Sequence, residues 1–295
     1  MDTSGTITIF QVDAFADEPF KGNPAGVCIL ERPLDDVVMQ NIAGEMNLSE
    51  TAFAVPVAPG ATIAGAFKFK LRWFTPTCEV DLCGHATLAT AKILYDIFEV
   101  KHETIAFDSR SGELRVRRDN ELIQLDFPAG DPQPTKLPDY YLNALGRYRT
   151  DLAEKVVAAA RCTRTGILLV HLNDPDEVKK IAPDFADLVQ AEDSFGSKGV
   201  CVTAAARQPY DFISRFFAPG LGINEDPVTG AAHTVLAPYW QAVLNKRKMT
   251  AFQASARGGE VLVEVHDDMG GHRRRVLISG KAVIVMEAVM KLSTA

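Results

Sequence analysis

The sequence predicts an α+β fold in which a duplicated domain wraps its sheet round a helix. Three observations support this prediction. A stretch of the chain occurs twice, about half a chain length apart. Strand-like segments outnumber short helical ones, which argues against a doubly wound parallel sheet. No Gly-x-Gly-x-x-Gly motif follows a strand and no Walker lysine loop is present, so nucleotide cofactors are not expected.

The repeat carries a glycine-led helix in each copy. The matching segments are 72–76 with 215–219, 83–89 with 229–237, and 110–114 with 257–261. The second copy follows the first by 143 to 147 residues, close to half of 295. Gly84 and Gly230 therefore open helices in equivalent places. If the two helix N-termini face each other, they form a cleft that binds an anion.

Composition excludes several classes of function. Apolar residues make up 47% of the 295 residues, enough for a large core, and the net charge is −7. The short basic runs at 246–248 and 273–275 have polar or acidic neighbours, so a nucleic-acid interface is not expected. An anionic substrate must then be held by local dipoles and a few donors, because the overall field has the wrong sign.

The chain is expected to be cytoplasmic and reduced. Its five cysteines are an odd number and lack the spacing of a zinc site or of a Cys-x-x-Cys motif. No signal peptide and no apolar stretch long enough for a membrane span is visible, so we expect no membrane contact.

Hydrophobic periodicity places the elements of the first half. Phe67, Phe69, Leu71 and Trp73 alternate with basic residues, which predicts a half-buried strand. The predicted strands are 7–13, 25–30, 52–57, 67–73, 104–107, 113–118 and 121–127, and the predicted helices are 35–46 and 84–98.

The proline-rich segment 128–134 is the best linker, because proline interrupts both helices and strand ladders. The second half repeats the pattern, with strands near 166–172, 199–205, 210–217, 259–266 and 274–285, and helices near 176–192 and 230–245. The predicted domains are 1–127 and 128–282, with a last strand at about 283–295 that returns to the first domain.

Cys83, Gly84 and His85 lie at the predicted start of the first repeated helix. Backbone N–H groups there lack partners within the helix and favour a bound carboxylate. A thiol at a helix N-terminus is expected to have a lowered pKa and to be reactive, although most free cysteines only fill buried space. The duplicated glycine at Gly230 favours a binding site over a mere tight turn.

Two carboxylates are candidates for chemistry. Asp226 precedes the second helix, where it either complements the helix dipole or contacts substrate. Glu50 breaks the symmetry, because the equivalent region 195–199 contains no carboxylate. As a general base, Glu50 would have its pKa raised by burial. His233 is expected to be structural, and the remaining histidines, His102, His171, His266 and His272, show no metal-binding pattern.

A series of motifs runs in order along nearly the whole chain. They are the segments 12–15, 22–25, 47–51, 74–76, 83–89, 225–230 and 253–259. Together they resemble the phenazine-biosynthesis isomerase-like (PhzF-like) family, in its MAWD-binding-protein-like branch. The resemblance to diaminopimelate epimerase and proline racemase is more distant.

The resemblance implies the epimerase fold, with two β-barrels, each round a central helix, and the site between them. It also implies a cofactor-independent isomerase without a metal. Carried over to this sequence, Glu50 is the general base, with His85 and Asp226 as partners. The substrate carboxylate is bound by residues around the two glycines, namely Cys83, Gly84, Thr229, Gly230 and Ala231. Proteins with this fold often dimerise through sheet edges or outer helices, so a homodimer is one alternative for the oligomeric state.

The chain departs from the family pattern in two places. The phenazine enzyme has serine where this chain has Ala231, so one hydroxyl donor is missing. The thiol-based epimerases use one cysteine in each half, whereas this chain has only Cys83. We therefore expect one base to move a proton within a small carboxylate-bearing substrate. The alternatives are a racemase or epimerase that uses Cys83, and a protein-binding scaffold without activity.

Overall fold

The computed structural model describes residues 5–147, 149–267 and 274–292. The strands are β1 (Thr6–Ala14), β2 (Asn23–Ile29), β3 (Glu50–Pro56), β4 (Lys68–Phe74), β5 (Glu79–Val80), β6 (Thr104–Ser109), β7 (Gly112–Asp119), β8 (Leu122–Pro128), β9 (Gln133–Pro134), β10 (Val156–Cys162), β11 (Ile167–Leu172), β12 (Gly199–Ala205), β13 (Phe212–Ala218), β14 (Ile223–Asp226), β15 (Lys248–Gln253), β16 (Gly259–His266), β17 (Arg275–Gly280) and β18 (Ala282–Lys291). The helices are α1 (Asp36–Met46), α2 (Gly84–Asp96), α3 (Asp139–Gly146), α4 (Leu152–Lys155), α5 (Pro175–Lys180), α6 (Phe185–Phe195) and α7 (Gly230–Leu244).

The chain divides into two compact units. Unit 1 comprises Met1–Asp126 and Ser279–Ala295, and unit 2 comprises Phe127–Ile278. In unit 1, α1 packs on the outer face of the sheet, where Ile42 and Phe53 belong to one buried apolar cluster. In unit 2, α3, α5 and α6 cover the sheet in the same way around Leu168 and Leu188.

The strand order of unit 1 is repeated in unit 2, which confirms the duplication. In unit 1, β1–β2 is antiparallel, β2–β3 parallel, β3–β4 antiparallel, β4–β6 parallel and β6–β7 antiparallel. In unit 2 the same alternation runs through β10–β11, β11–β12, β12–β13, β13–β15 and β15–β16. A short strand, β5 or β14, extends each sheet just before the repeated helix. The two glycine-led helices therefore follow topologically equivalent strands along the chain.

Helices α2 and α7 are buried on nearly all sides, as the sheet-round-a-helix prediction requires. In unit 1, α2 lies against β1, β2, β3 and β18. Small residues such as Ala86 and Ala89 let the strands approach the helix closely. The Thr90 hydroxyl donates to the Ala86 carbonyl at 2.7 Å, which satisfies a polar group inside the core.

The proline-rich segment at 128–134 is not a free linker. Pro238 lies inside α7 and has no N–H to donate to the carbonyl of Thr234. The N–H of Gly130 donates to that carbonyl at 2.8 Å. A Cβ at Gly130 would lie 2.9 Å from the Val235 side chain, so only glycine allows this approach. Gly130 thus donates the hydrogen bond that Pro238 cannot, and this bond holds the segment within unit 2.

Several element boundaries differ from the predictions. The helix predicted near 176–192 is two helices, because Pro183 interrupts it and Asp184 caps α6 by accepting from two N–H groups. The strand predicted at 274–285 is β17 and β18, separated at Lys281. The predictions also missed α3, β10 and β15.

No helix in the described parts of the chain has the length and apolar character that crossing a lipid bilayer requires. His272, Arg273 of the second basic run, and 293–295 of the predicted last strand lie outside the described residues.

Candidate active site

Glu50 is the first residue of β3 and is only 9% exposed. Helix α1 ends at Met46, and the next residue, Asn47, adopts the left-handed conformation and turns the chain back towards the sheet. Strand β3 then pairs with β2 in parallel and with β4 in antiparallel, so both of its edges are occupied. The strand is buried over its first five residues, and this burial takes the Glu50 carboxylate out of solvent.

Cys83 and His85 lie at the N-terminus of α2, beside Glu50. The Nε2 atom of His85 is 3.2 Å from Oε2 of Glu50. The Sγ atom of Cys83 is 3.5 Å from Nδ1 of His85. We call these three residues the Glu50 cluster. The fold therefore brings the Glu50 carboxylate next to a thiol and an imidazole that lie 33 and 35 residues further along the chain.

The pKa values within the Glu50 cluster describe a buried ion pair. Burial raises the pKa of Glu50, but the charge of His85 at 3.2 Å and the nearby Cys83 outweigh it, so the pKa lies below its ordinary value of 4.5. Burial lowers the pKa of His85, but Cys83 and Glu50 outweigh it, so the pKa rises well above 6.5. At neutral pH the cluster holds a carboxylate and an imidazolium. The sequence prediction of a raised Glu50 pKa is wrong, because it took account of burial and not of the cation beside it.

The thiol of Cys83 is the second correction. Burial and then the Glu50 carboxylate raise its pKa to about 11, although His85 acts in the opposite direction. The predicted lowering by the helix N-terminus is therefore outweighed by desolvation and a neighbouring negative charge.

We predict that Cys83 reacts slowly with iodoacetamide in the folded protein. A buried thiol with a raised pKa has little thiolate near neutral pH, and thiolate is the nucleophile. Cys78, which is exposed, provides the internal comparison. Peptide mass spectrometry over a time course should find Cys78 modified first and Cys83 modified only after unfolding in urea. Modification of Cys83 at the rate of Cys78 would contradict the prediction.

A second cluster in unit 2 consists of Asp226, Thr229 and Gln253, which we call the Asp226 cluster. The Thr229 hydroxyl donates to the Asp226 carboxylate at 2.5 Å. The Gln253 amide donates to the Asp226 carbonyl at 2.7 Å and accepts from the Thr229 N–H at 2.9 Å. All three residues are at most 8% exposed. Gln253 was not among the predicted site residues, and only its place in a motif drew attention to it.

Neither repeated helix is capped by its own N-cap side chain. Among the described residues, Cys83 and Thr229 make no side-chain bond to the first turns of α2 and α7. The first N–H groups at Gly84 and His85, and at Gly230 and Ala231, thus keep the partial positive charge that favours an anion. His233 contacts the N-terminus of α7 through the backbone of its N-cap residue, Thr229. Its Nδ1 lies 2.8 Å from the Thr229 carbonyl, and burial lowers its pKa to about 4, so it is neutral and donates there.

Strand register shows how the symmetry between the units is broken. Thr51 pairs with Phe74 in unit 1, and Val200 pairs with the equivalent Phe217 in unit 2. The residue equivalent to Glu50 is therefore Gly199, inside the region 195–199 that the sequence indicated. Asp226 of unit 2 likewise has an equivalent residue in unit 1.

The residue equivalent to Asp226 is Val80. Trp73 pairs with Val80 in unit 1, and Phe216 pairs with Asp226 in unit 2. The preceding acids, Glu79 and Glu225, serve a different purpose, because each forms an ion pair with the repeated arginine, Arg72 or Arg215. Each unit thus carries one carboxylate that its repeat lacks.

We predict that Gly199→Ala lowers the free energy of unfolding by about 1–3 kcal/mol more than Gly222→Ala does, because a steric cost adds to the backbone cost. A Cβ at Gly199 would lie 2.6 Å from the Phe216 ring and 3.0 Å from the Phe217 carbonyl, and φ there is +154°. Unit 2 therefore has no room for a second base at the position equivalent to Glu50. Urea unfolding followed by circular dichroism measures the loss.

Gly222→Ala is the matched control for Gly199→Ala. Gly222 also has a positive φ, of +82°, but a Cβ at this position would have no described atom within 4 Å. Its alanine variant is expected to lose about 1 kcal/mol from backbone conformation alone. Equal losses at the two positions would show that the steric argument for Gly199 is wrong.

Comparison with known proteins gives consistent results. The family model described as phenazine biosynthesis-like protein matches residues 12–288. An uncharacterized isomerase of Pseudomonas aeruginosa is 46% identical over 286 residues, covering 97% of this chain and 99% of that protein. The mouse phenazine biosynthesis-like domain-containing protein 1 is 42% identical, covering 96% of this chain and 99% of its own length.

Solved structures agree with these relatives. A PhzF-family protein of Enterococcus faecalis has a TM-score of 0.83 at 42% identity, and the match covers 97% of this chain and 99% of that one. A hydroxyproline epimerase of Agrobacterium vitis has a TM-score of 0.59 at 10% identity, covering 99% and 94% of the two chains. The second match shows the epimerase fold alone.

Proposed function

Because the chain belongs to the phenazine biosynthesis-like protein family, we propose that it is a cofactor-independent isomerase that moves a proton within a small carboxylate-bearing substrate. Relatives of this chain are named isomerases, which supports the reaction class. The observation that carries the finer proposal is the Glu50 cluster, in which one buried carboxylate lies beside an imidazolium. The proton acceptor is then a protein group, so the transfer needs no cofactor.

In this proposal Glu50 removes a proton from carbon and returns it at another position. Its carboxylate is ionised at neutral pH, and its burial excludes water from the group that receives the proton. His85 keeps Glu50 ionised and stabilises negative charge that develops on the substrate. Once Glu50 has taken the proton, its electrostatic attraction to His85 is lost, and this favours return of the proton to the substrate.

The substrate carboxylate is proposed to bind at the uncapped helix N-termini. The N–H groups around Gly84 in unit 1 and Gly230 in unit 2 are suited to an anion, since helix dipoles favour negative charge there. Thr229 donates to the Asp226 carboxylate and Gln253 to the Asp226 backbone carbonyl, an arrangement that suits a side chain in contact with the polar part of the substrate. That both units act on one substrate molecule stays a prediction.

The raised pKa of Cys83 favours this one-base reaction over a two-thiol racemase. Such a racemase needs a reactive thiol on each face of its substrate, and Thr229 occupies the place in unit 2 that Cys83 has in unit 1. With a pKa of about 11, Cys83 is a poor nucleophile and a poor proton acceptor at neutral pH.

The pH dependence of exchange tests the proposed function. We expect the protein to catalyse deuterium exchange from D₂O into members of a panel of small unsaturated carboxylic acids, followed by proton NMR. The rate should fall on the acid side as Glu50 becomes protonated, at a pH below the ordinary glutamate pKa, and on the alkaline side as His85 loses its proton, at a pH well above the ordinary histidine pKa. Between these limits it should be constant.

Two results would count against the proposal. One is a rate that increases through the neutral range, which is typical of a base with a raised pKa. The other is that no acid in a broad panel either exchanges or raises the melting temperature, which would favour the scaffold alternative.

A further inference from the structure

The Glu50 cluster combines three donor atoms of the kinds that bind zinc. A carboxylate oxygen of Glu50, Sγ of Cys83 and a ring nitrogen of His85 all lie within 4.8 Å of one another. Sequence patterns did not predict this set, because Glu50 is far from Cys83 and His85 along the chain and no spacing motif links them. All three residues are at most 9% exposed.

The distances suit a tetrahedral ion after a small shift. With Zn–S near 2.3 Å and Zn–N and Zn–O near 2.0–2.2 Å, tetrahedral ligand atoms are about 3.3–3.6 Å apart. Here Nε2 of His85 is 3.2 Å from Oε2 of Glu50 and 4.0 Å from Sγ of Cys83. The first separation needs almost no change and the second must shorten by about 0.4 Å, while the carboxylate and the thiol lie within 4.8 Å of each other, so side-chain rotations can bring the three ligands to one ion. A water or a substrate oxygen completes the fourth position.

The charge balance also suits a divalent cation. Binding displaces the thiol proton of Cys83 and the ring proton of His85 to solvent, and Zn–S, Zn–N and Zn–O bonds replace them. A thiolate and a carboxylate together neutralise Zn²⁺, so the net charge of the buried cluster is the same before and after. The positive end of α2 opposes a cation, and the anionic sulfur offsets it.

We propose that the Glu50 cluster is a binding site for Zn²⁺ and that the bound ion inhibits the isomerase. The ion occupies the carboxylate that would accept the substrate proton and the imidazole beside it. Soft thiolate and imidazole donors select Zn²⁺ over Mg²⁺ or Ca²⁺, which prefer oxygen ligands. Binding itself is independent of the proposed function, whereas inhibition rests on it.

Cobalt(II) is the probe for binding, because a thiolate–cobalt bond gives a charge-transfer absorption that needs no substrate. One equivalent of Co²⁺ should produce this band and tetrahedral visible bands in the whole protein, and Zn²⁺ should displace both. Cys83→Ser should abolish the charge-transfer band and weaken the affinity for Zn²⁺ by more than about tenfold. Cys78→Ser, which removes an exposed thiol, should behave like the parent.

Glu50→Gln provides a second variant in case Cys83→Ser fails to fold. It keeps the side-chain shape, retains the thiolate band and weakens Zn²⁺ binding, since an amide is a poorer ligand than a carboxylate. No charge-transfer band in the parent, or parent affinity in both cluster variants, would overturn the site. Deuterium exchange at the parent rate in Zn²⁺-saturated protein would overturn the inhibition. If no acid exchanges at all, the cobalt titration still decides whether the site exists.

Discussion

Replacing Glu50 with glutamine is expected to slow deuterium exchange into a substrate by about 10²–10⁴-fold, the range for loss of a general base. Glutamine has nearly the same shape as glutamate, so it fills the same buried space at the start of β3. It cannot accept a proton from carbon at a useful rate. The variant leaves His85 without its carboxylate, so we expect His85 to lose its proton and the fold to be retained at reduced stability. Proton NMR in D₂O measures the exchange rate, and circular dichroism checks the fold.

Glu45→Gln is the matched control for Glu50→Gln. Glu45 is an exposed glutamate on α1, the helix that leads into the same strand, and its variant should exchange at the parent rate. Asp226→Asn, combined with Glu50→Gln, tests whether unit 2 contributes to the same step. If it does, the losses in the double variant will be far from additive. Near-parent exchange in folded Glu50→Gln would show that Glu50 is not the base.

Replacing His85 with asparagine is expected to move the acid limb of the pH profile upwards and to destabilise the fold. The imidazolium is the main reason that the pKa of Glu50 is low, so its removal leaves burial to raise that pKa. Breaking a buried ion pair by removing one partner costs about 3–5 kcal/mol. In the parent, ionised Glu50 stabilises the fold above its unfolded pKa, and this contribution is lost as the pH falls through its lowered folded pKa. In the variant the sign reverses, because a raised folded pKa makes ionised Glu50 destabilising, so the stability should increase as the pH falls and Glu50 takes up a proton. Urea unfolding and the exchange profile, each as a function of pH, measure these two effects.

The double variant and a surface variant separate this effect from general damage. In Glu50→Gln with His85→Asn neither charge remains, so the loss of stability should be smaller than the sum of the two single losses. His266→Asn removes a histidine that pairs with Glu264 at the surface, and it should leave the exchange profile unchanged. An unmoved acid limb in His85→Asn would mean that His85 does not set the pKa of Glu50.

Regular patterns made much of the fold readable from the sequence. The repeated segments predicted the duplication, and the starts of α2 and α7 at Gly84 and Gly230 agree with it. These features depend on residues close together in the chain, such as a glycine before an apolar helix. The prediction of a single helix at 176–192 was wrong, and the reason is again local. Pro183 and the capping Asp184 divide this region into α5 and α6.

The chemistry of the site depended on neighbours that the chain brings together only when it folds. Glu50, His85 and Asp226 were named from the sequence, but the direction of the Glu50 and Cys83 pKa shifts was predicted wrongly. The sequence shows that a residue will be buried, and burial alone raises a carboxyl pKa. It does not show that an imidazolium will lie 3.2 Å away.

By itself the sequence determined the duplicated topology, the two glycine-led helices and a glutamate at the start of β3 that the second half lacks. These follow from periodicity and from short-range backbone preferences. Only the tertiary structure decided that Glu50, Cys83 and His85 form one buried cluster, that Gly199 leaves no room for a second base, and that Gly130 completes the hydrogen bonding of α7. The reason is physical: electrostatic and steric effects act over a few ångströms in space, whatever the separation along the chain.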